Sequence, residues 1–110
     1  MTVLEYLDRA GSSPFAAWFR SLDATAAARV TTALRRLELG SFSNVKGVGA
    51  GVFEYRIDFG PGYRVYFGKD GDTVVILLAG GTKKRQDRDI ADAHERWADY
   101  KKRKAQEKEK

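Results

Sequence analysis

The chain has 110 residues, 43% hydrophobic and 32% charged, which is typical of one folded domain. No cysteine and one histidine exclude disulfides, thiolate nucleophiles and cysteine- or histidine-based metal sites, and no apolar run is long enough to cross a bilayer. The start lacks a signal-peptide pattern, so a cytoplasmic protein without a membrane partner is predicted. The net charge is +5, and most of the surplus lies in residues 83–110, which carry eleven basic and seven acidic groups. A basic segment of this kind is typical either of binding to a phosphate-rich partner or of a solubilising terminus.

The first elements predicted along the chain are a strand and a helix. Strand-forming side chains fill residues 2–7, before a stretch rich in glycine and serine. Ser13 as N-cap, with Pro14 at the first helical position, is a strong start signal for a helix. Trp18 lies in step with other apolar residues of that helix, and we therefore expect it to anchor the core rather than to stack on a nucleic-acid base.

A second helix and a glycine-rich segment follow. Either Asp23 or Thr25 can cap this helix, which carries an apolar stripe until Gly40 ends it, so the two helices are predicted to form a hairpin. Residues 40–51 are predicted to be a loop or an irregular sheet edge. Lys46 within them is interpreted either as a solvated lysine or as a phosphate contact.

Two alternating strands, residues 52–59 and 63–67, form the centre of the prediction. Aligning their apolar faces requires a connection with an odd number of residues, and a tripeptide of two glycines around a proline meets that condition. In this register Asp58 is expected to lie opposite Arg64, and Arg56 opposite Tyr66.

The polar face of these strands is the predicted functional surface. The helical hairpin is expected to cover the apolar face and to leave Arg56, Arg64 and Tyr66 open, with cations near residue 83 at the rim. Clustered cations with aromatics suit a phosphodiester backbone. The alternative is a cross-strand ion pair between Arg64 and Asp58, with Arg56 solvated.

The last predicted elements are a buried central strand over residues 72–79, ended by Gly80 and Gly81, and a helix capped by Asp87 or Asp89. The fold class is therefore α+β in the order β-α-α-β-β-β-α, with a small, mostly antiparallel sheet, a helical hairpin on one face and a C-terminal helix. Residues 1–100 are predicted to form the domain, and residues 101–110 a basic tail that frays or is disordered.

Cleavage of RNA through its 2′-hydroxyl needs a base, a group that neutralises the phosphorane and an acid. Arginine and lysine can neutralise the phosphorane, and a lysine of depressed pKa could also move protons. The further candidates for proton transfer, none of which has a diagnostic spacing, are Asp58, Asp87, Asp89, Tyr66 and His94. His94 lies near the apolar side of the last helix, where packing or surface exposure is expected.

An ordered set of residues resembles the RelE/ParE superfamily of bacterial type II toxins, within it the HigB-like killer proteins of addiction modules, also described as phage-derived Gp49-like proteins. The matching segments are Phe15-Ala16-Ala17-Trp18-Phe19, Leu37, Lys46-Gly47-Val48-Gly49, Val52-Phe53-Glu54-Tyr55-Arg56-Ile57-Asp58, Gly60-Pro61-Gly62-Tyr63-Arg64-Val65-Tyr66-Phe67, Gly80-Gly81-Thr82-Lys83, Gln86, Asp89-Ile90, Trp97 and Tyr100.

The resemblance implies a RelE-like fold and a metal-independent endoribonuclease without cofactors, which cleaves mRNA on the ribosome. It also implies a cognate helix-turn-helix antitoxin, through which alone the toxin meets operator DNA. Arg56, Arg64 and Lys83 match the cations at the scissile phosphate. Asp89 is a candidate acid or base, and the tyrosine or histidine that serves in better-known relatives has no equivalent near it. The candidate RNA-binding residues are Lys46, Tyr66, Lys84 and Arg85.

Two other functions fit the same scaffold. One is a ParE-like toxin that inhibits a topoisomerase without cutting RNA, because related scaffolds host both activities. The other is a nucleic-acid-binding component of a toxin–antitoxin repressor complex. The sequence leaves these alternatives open.

Overall fold

The computed structural model describes residues 1–108, which form a five-stranded sheet with helices on both faces. This architecture confirms the predicted α+β class and the order of its main elements. The elements are β1 (Thr2–Glu5), α1 (Pro14–Arg20), α2 (Ala24–Glu38), β2 (Val45–Gly47), β3 (Val52–Ile57), β4 (Tyr63–Asp70), β5 (Val74–Thr82), a 3₁₀ turn (Lys83–Arg85) and α3 (Gln86–Lys108).

The strands lie side by side in the order β1-β5-β4-β3-β2. The first pair is parallel, with Thr2 beside Val74, and the other pairs are antiparallel. β5 is an interior strand between β1 and β4 and is buried on both faces, as its continuous apolar run predicted, but the middle strand of the sheet is β4 and not β5. The segment expected to be a loop or an irregular edge contains β2, a three-residue strand at the margin of the sheet.

Side-chain caps fix the starts of the first two helices. The Ser13 hydroxyl accepts a hydrogen bond from the backbone N–H of Ala16 at 3.0 Å, as predicted. The Asp23 carboxylate accepts one from Ala26 at 2.8 Å, which decides between Asp23 and Thr25 as the cap of α2. Such a cap stabilises a helix by about 1 kcal/mol.

The helical hairpin of α1 and α2 covers the odd-numbered face of the sheet, as predicted. The core there joins Phe15 of α1 and Leu37 of α2 to Tyr55, Val65 and other apolar residues of the strands. Trp18 lies directly over Gly80, where any larger residue would collide with the indole ring. The interpretation of Trp18 as a core anchor is confirmed.

The predicted register of the β3–β4 hairpin is wrong by two residues. Arg56 lies opposite Arg64, and Glu54 opposite Tyr66, so Asp58 has no ladder partner and does not pair with Arg64. The connection has five residues, 58–62, instead of three. Five is also an odd number, and the assignment of side chains to the two faces is therefore still correct.

The even-numbered face is not open, contrary to the prediction, because α3 packs across it. Trp97 of α3 lies against Gly68 and joins Val52, Tyr66 and Ile76 in a second core. His94 lies within hydrogen-bond distance, 2.9 Å, of the Val48 carbonyl oxygen, a packing role that agrees with its predicted position.

The end of β5 and the start of α3 also differ from the prediction. β5 continues through Gly80 and Gly81 to Thr82. Glycine is required at these two positions because Trp18 and Asp89 occupy the space that side chains would take there. α3 begins at Gln86, so Asp87 and Asp89 lie in its first turn and neither is its N-cap. Carboxylates are favoured in a first turn by the helix dipole.

α3 continues through most of the segment that was expected to fray. It remains helical to Lys108, while residues 109 and 110 of the predicted tail lie outside the described residues. The Tyr100 hydroxyl donates to Asp70 at 2.6 Å, and Arg103 donates to the Leu7 carbonyl at 2.5 Å. In residues 1–108 no helix is both long and apolar enough to span a membrane.

Candidate functional site

A buried carboxylate, Glu54, lies at the centre of a polar cluster between the sheet and the start of α3. Its side chain is 0% exposed. One oxygen, Oε1, lies 3.7 Å from Nε of Arg64 and 3.8 Å from Nζ of Lys46, and the other, Oε2, accepts a hydrogen bond from Gln86 at 2.7 Å. Because a buried charge requires such partners, Glu54 connects β2, β3, β4 and α3 at one point.

Arg64 is nearly buried, with 6% of its surface exposed. Its Nη1 donates to the Tyr63 carbonyl at 3.1 Å, and a Cβ atom at Gly62 would lie 3.3 Å from this nitrogen. The backbone N–H of Lys83 donates to the Gly62 carbonyl at 2.8 Å. The absence of a side chain at Gly62 thus lets the guanidinium of Arg64 and the start of Lys83 meet at the same loop.

Arg56 completes a group of three cations at this end of the sheet. It is exposed, lies opposite Arg64 in the ladder, and makes no ion pair within residues 1–108. Lys83 follows Thr82, which pairs with Tyr63 beside Arg64. The structure therefore brings together the three residues that the sequence singled out for a scissile phosphate.

The carboxyl group of Asp89 lies over Gly81, the ladder neighbour of Arg64. Burial raises the pKa of Asp89 above its usual value, although the nearby charge of Arg85 opposes this shift. Its Oδ2 is buried and has no hydrogen-bond partner in the described chain. A carboxyl group that holds its proton more tightly than usual is suited to general acid catalysis.

Tyr66 does not lie on an open surface, contrary to the prediction. Its side chain is 0% exposed beneath α3, and its hydroxyl has no hydrogen-bond partner in the described residues. Burial, with the charge of Glu54 next in size, raises the pKa of Tyr66 strongly. The phenol of Tyr66 is therefore part of the core between the sheet and α3 and does not reach the surface.

The remaining predicted contacts are accessible. Lys84 and Arg85 are exposed on the 3₁₀ turn beside Lys83, at the rim where they were expected. Lys46 is about half exposed on β2, with its ammonium group directed toward Glu54. No group of three or more potential metal-ligating side chains occurs within residues 1–108.

Sequence reasoning missed Glu54 and Gln86 as members of the site. An acidic residue in an alternating strand is usually solvated, and nothing local indicated that α3 would cover it. The available signal was a carboxylate on the same predicted face as two arginines, although Asp58 on that face gave the same signal.

Together, the fold and the site define a small α+β protein with a cationic cluster at one end of its sheet, in which the buried carboxylate of Glu54 lies next to Arg64. The chain belongs to the family described as Phage derived protein Gp49-like (DUF891), whose model matches residues 17–109. This is a family of RelE/HigB-like toxin type. The chain is also 44% identical, over 80 residues, to an uncharacterized protein of Haemophilus influenzae, covering 72% of this chain and 81% of that protein.

Proposed function

We propose that this protein is the toxin of a type II toxin–antitoxin module and that it cleaves mRNA on the translating ribosome. The observation that carries the proposal is the meeting of Arg56, Arg64 and Lys83 at one end of the sheet. Membership of a toxin-type family supports it. The implied partner is a helix-turn-helix antitoxin, which would link the toxin to operator DNA.

The proposed reaction transfers the phosphoryl group from the 5′ oxygen of one nucleotide to the 2′-hydroxyl of the preceding one. The 2′-hydroxyl loses its proton to solvent as it attacks, and the departing 5′ oxygen gains one, which leaves a 2′,3′-cyclic phosphate and a 5′-hydroxyl. The phosphorane between these steps is rich in negative charge, which Arg56, Arg64 and Lys83 would neutralise. Asp89, whose pKa is raised, would protonate the departing oxygen.

Two further groups support this assignment of roles. Glu54 lies 3.7 Å from Nε of Arg64, an ion-pair contact without a hydrogen bond, and the bond from Nη1 to the Tyr63 carbonyl would orient the guanidinium before substrate arrives. Lys46, Lys84 and Arg85 are accessible around the cluster and would contact the flanking RNA backbone.

The decisive test replaces the two exposed cations singly. Arg56→Ala and Lys83→Ala should each lower mRNA cleavage at least ~10²-fold and relieve growth arrest on induction, because charge neutralisation in the transition state is lost. The measurement is growth after induction together with primer extension on cellular messages. Lys102→Ala, an exposed lysine near the other end of α3, is the matched control and should remain toxic.

Arg64→Ala should also abolish growth arrest, but it removes the cation beside buried Glu54 and therefore needs a folding measurement beside it. Full toxicity of both exposed variants would contradict the mechanism. Damaged DNA with intact messages would instead support a topoisomerase inhibitor. Loss of toxicity in every assay, with operator binding beside the partner, would support a repressor component.

A further inference from the structure

A cavity of about 200 Å³ with a cationic lining lies between α2 and β3, and Arg56 is among the residues that line it. Three arginines line it, Arg29 and Arg36 from α2 and Arg56 from β3. Arg29 and Arg36 are seven residues apart, about two helical turns, and therefore lie on one face of α2.

The lining of this cavity carries more positive than negative charge. None of the three arginines forms an ion pair with a carboxylate of residues 1–108, and Asp58 is the one acidic residue in the lining. Neutral hydrogen-bonding side chains, Asn44 and Thr32, complete the polar part of the wall. Guanidinium groups at the wall of a cavity, here those of Arg29 and Arg36 on one face of α2, suit an anion with several oxygens.

The guanidinium group of Arg29 packs against an aromatic ring next to the cavity. Its guanidinium carbon lies 4.5 Å from the centroid of the Phe59 ring, a stacking contact that leaves the N–H edges of the group free. Phe59 belongs to the five-residue connection whose other end, Gly62, meets Arg64 and Lys83. One loop therefore borders both the cavity and the proposed cleavage site.

We propose that this cavity binds a backbone phosphate of single-stranded RNA next to the phosphate that is cleaved. Arg56 would lie between the two phosphates, because it lines the cavity and is the ladder neighbour of Arg64. This inference rests on the proposed function for the nature of its ligand. Its consequence is that the arginines of α2 increase affinity for RNA of any sequence and take no part in the chemical step.

The test measures binding of a 2′-O-methyl RNA oligonucleotide, which cannot be cleaved through its 2′-hydroxyl, by fluorescence anisotropy over a series of salt concentrations. The variant is Arg29→Gln with Arg36→Gln. The matched control, Arg20→Gln with Arg35→Gln, removes the same charge from two exposed arginines outside the cavity, one of them on α2 next to Arg36.

The cavity variant should bind about tenfold more weakly at low salt, and its slope of log affinity against log salt should become shallower by about 0.7 for each phosphate that it no longer neutralises. The control should keep the wild-type slope, and circular dichroism should show both variants folded. Equal slopes for the two double variants would overturn the inference while leaving the proposed function intact. Failure of the wild-type chain to bind the oligonucleotide would overturn the inference, whereas the proposed function on the ribosome is decided separately by growth arrest and primer extension. Loss of antitoxin binding with unchanged RNA affinity would also overturn the inference and would assign the cavity to an acidic protein segment.

Discussion

The side chain of Glu54 shows how a single residue can depend on the whole fold. In the sequence it alternates with apolar residues, as a solvated strand residue does, and the structure buries it completely among Arg64, Lys46 and Gln86. Those partners come from other strands and from α3, so its role follows from tertiary packing. Arg56 and Lys83, two of the residues recognised from the sequence, are exposed and lie near chain turns, whereas the third, Arg64, is nearly buried.

Replacement of Glu54 should be strongly destabilising. Glu54→Ala leaves the guanidinium of Arg64 buried without its carboxylate, and loss of one partner of a buried pair typically costs about 3 to 5 kcal/mol. Urea denaturation followed by circular dichroism measures the free energy of unfolding. Glu38→Ala, at an exposed glutamate at the end of α2, is the control and should change it by less than about 0.5 kcal/mol. A Glu54→Ala protein as stable as the control would show that Arg64 does not need the carboxylate.

The raised pKa of Asp89 predicts opposite effects on stability and activity. Burial favours the protonated carboxyl in the folded state, so ionisation costs stability once the pH exceeds the folded pKa. Asp89→Asn should therefore raise the free energy of unfolding at neutral pH. This gain should disappear below the ordinary pKa near 3.8, where both states are protonated. The same variant should lose RNA cleavage, because the amide cannot donate the proton in the proposed reaction.

Denaturation from pH 3 to pH 8, with a cleavage assay, measures both effects of Asp89→Asn. Asp87→Asn is the control, since Asp87 is exposed in the same first turn of α3. Removal of its favourable interaction with the helix dipole should leave stability unchanged or slightly lower at neutral pH. An active Asp89→Asn protein would remove Asp89 from the proton-transfer step, whatever its stability.

At the scale of elements, caps and periodicity were sufficient for most of the fold. Ser13 and Asp23 locate two helices because a capping side chain acts within one turn, and alternation identifies β3 and β4 because its period is local. The length of their connection could not be derived, since three and five residues give the same parity. The hydrogen bonds from Phe59 to Ile57 and from Gly62 to Phe59 close the longer loop.

The position of α3 could also not be predicted from the periodicity of its apolar residues. Its apolar stripe, which includes Ala93 and Trp97, predicts burial but does not specify the sheet face that it covers. Gly68 specifies that face in the structure, because its missing side chain admits the Trp97 ring. A glycine in a strand has several explanations, and only the packed structure distinguishes a site of close approach from an entropic defect.

At the scale of the whole molecule, the C-terminal half of α3 joins parts of the chain that are distant in sequence. Asp70 accepts hydrogen bonds from Tyr100 and Lys104, and Asp99 accepts one from Tyr6 at 2.6 Å. These bonds lower the pKa of both carboxyl groups. Their contribution to stability is therefore present above the ordinary carboxyl pKa and is lost as the pH falls through the lower folded values.

Truncation after Tyr100 tests whether the predicted domain, residues 1–100, is complete. Removal of residues 101–110 deletes Arg103, which contacts Leu7 and Asp99, and Lys104, which contacts Asp70. The free energy of unfolding should fall by about 1 to 2 kcal/mol, because these are partly exposed contacts. The substitution Lys102→Gln, at an exposed lysine of the same segment, is the control for the removal of charge. A truncated chain as stable as the full one would establish that residues 1–100 are sufficient.

The parallel pairing of β1 with β5 has a consequence for the synthesis of the protein. β1 precedes β5 in the chain, with Thr2 paired to Val74, and this parallel pair therefore forms only after β5 has been made. Lys83 and Asp89, both assigned to the proposed site, emerge later still. In the proposed mechanism, a nascent chain in which α3 has not yet been made lacks the Asp89 carboxyl group and cannot protonate the departing oxygen.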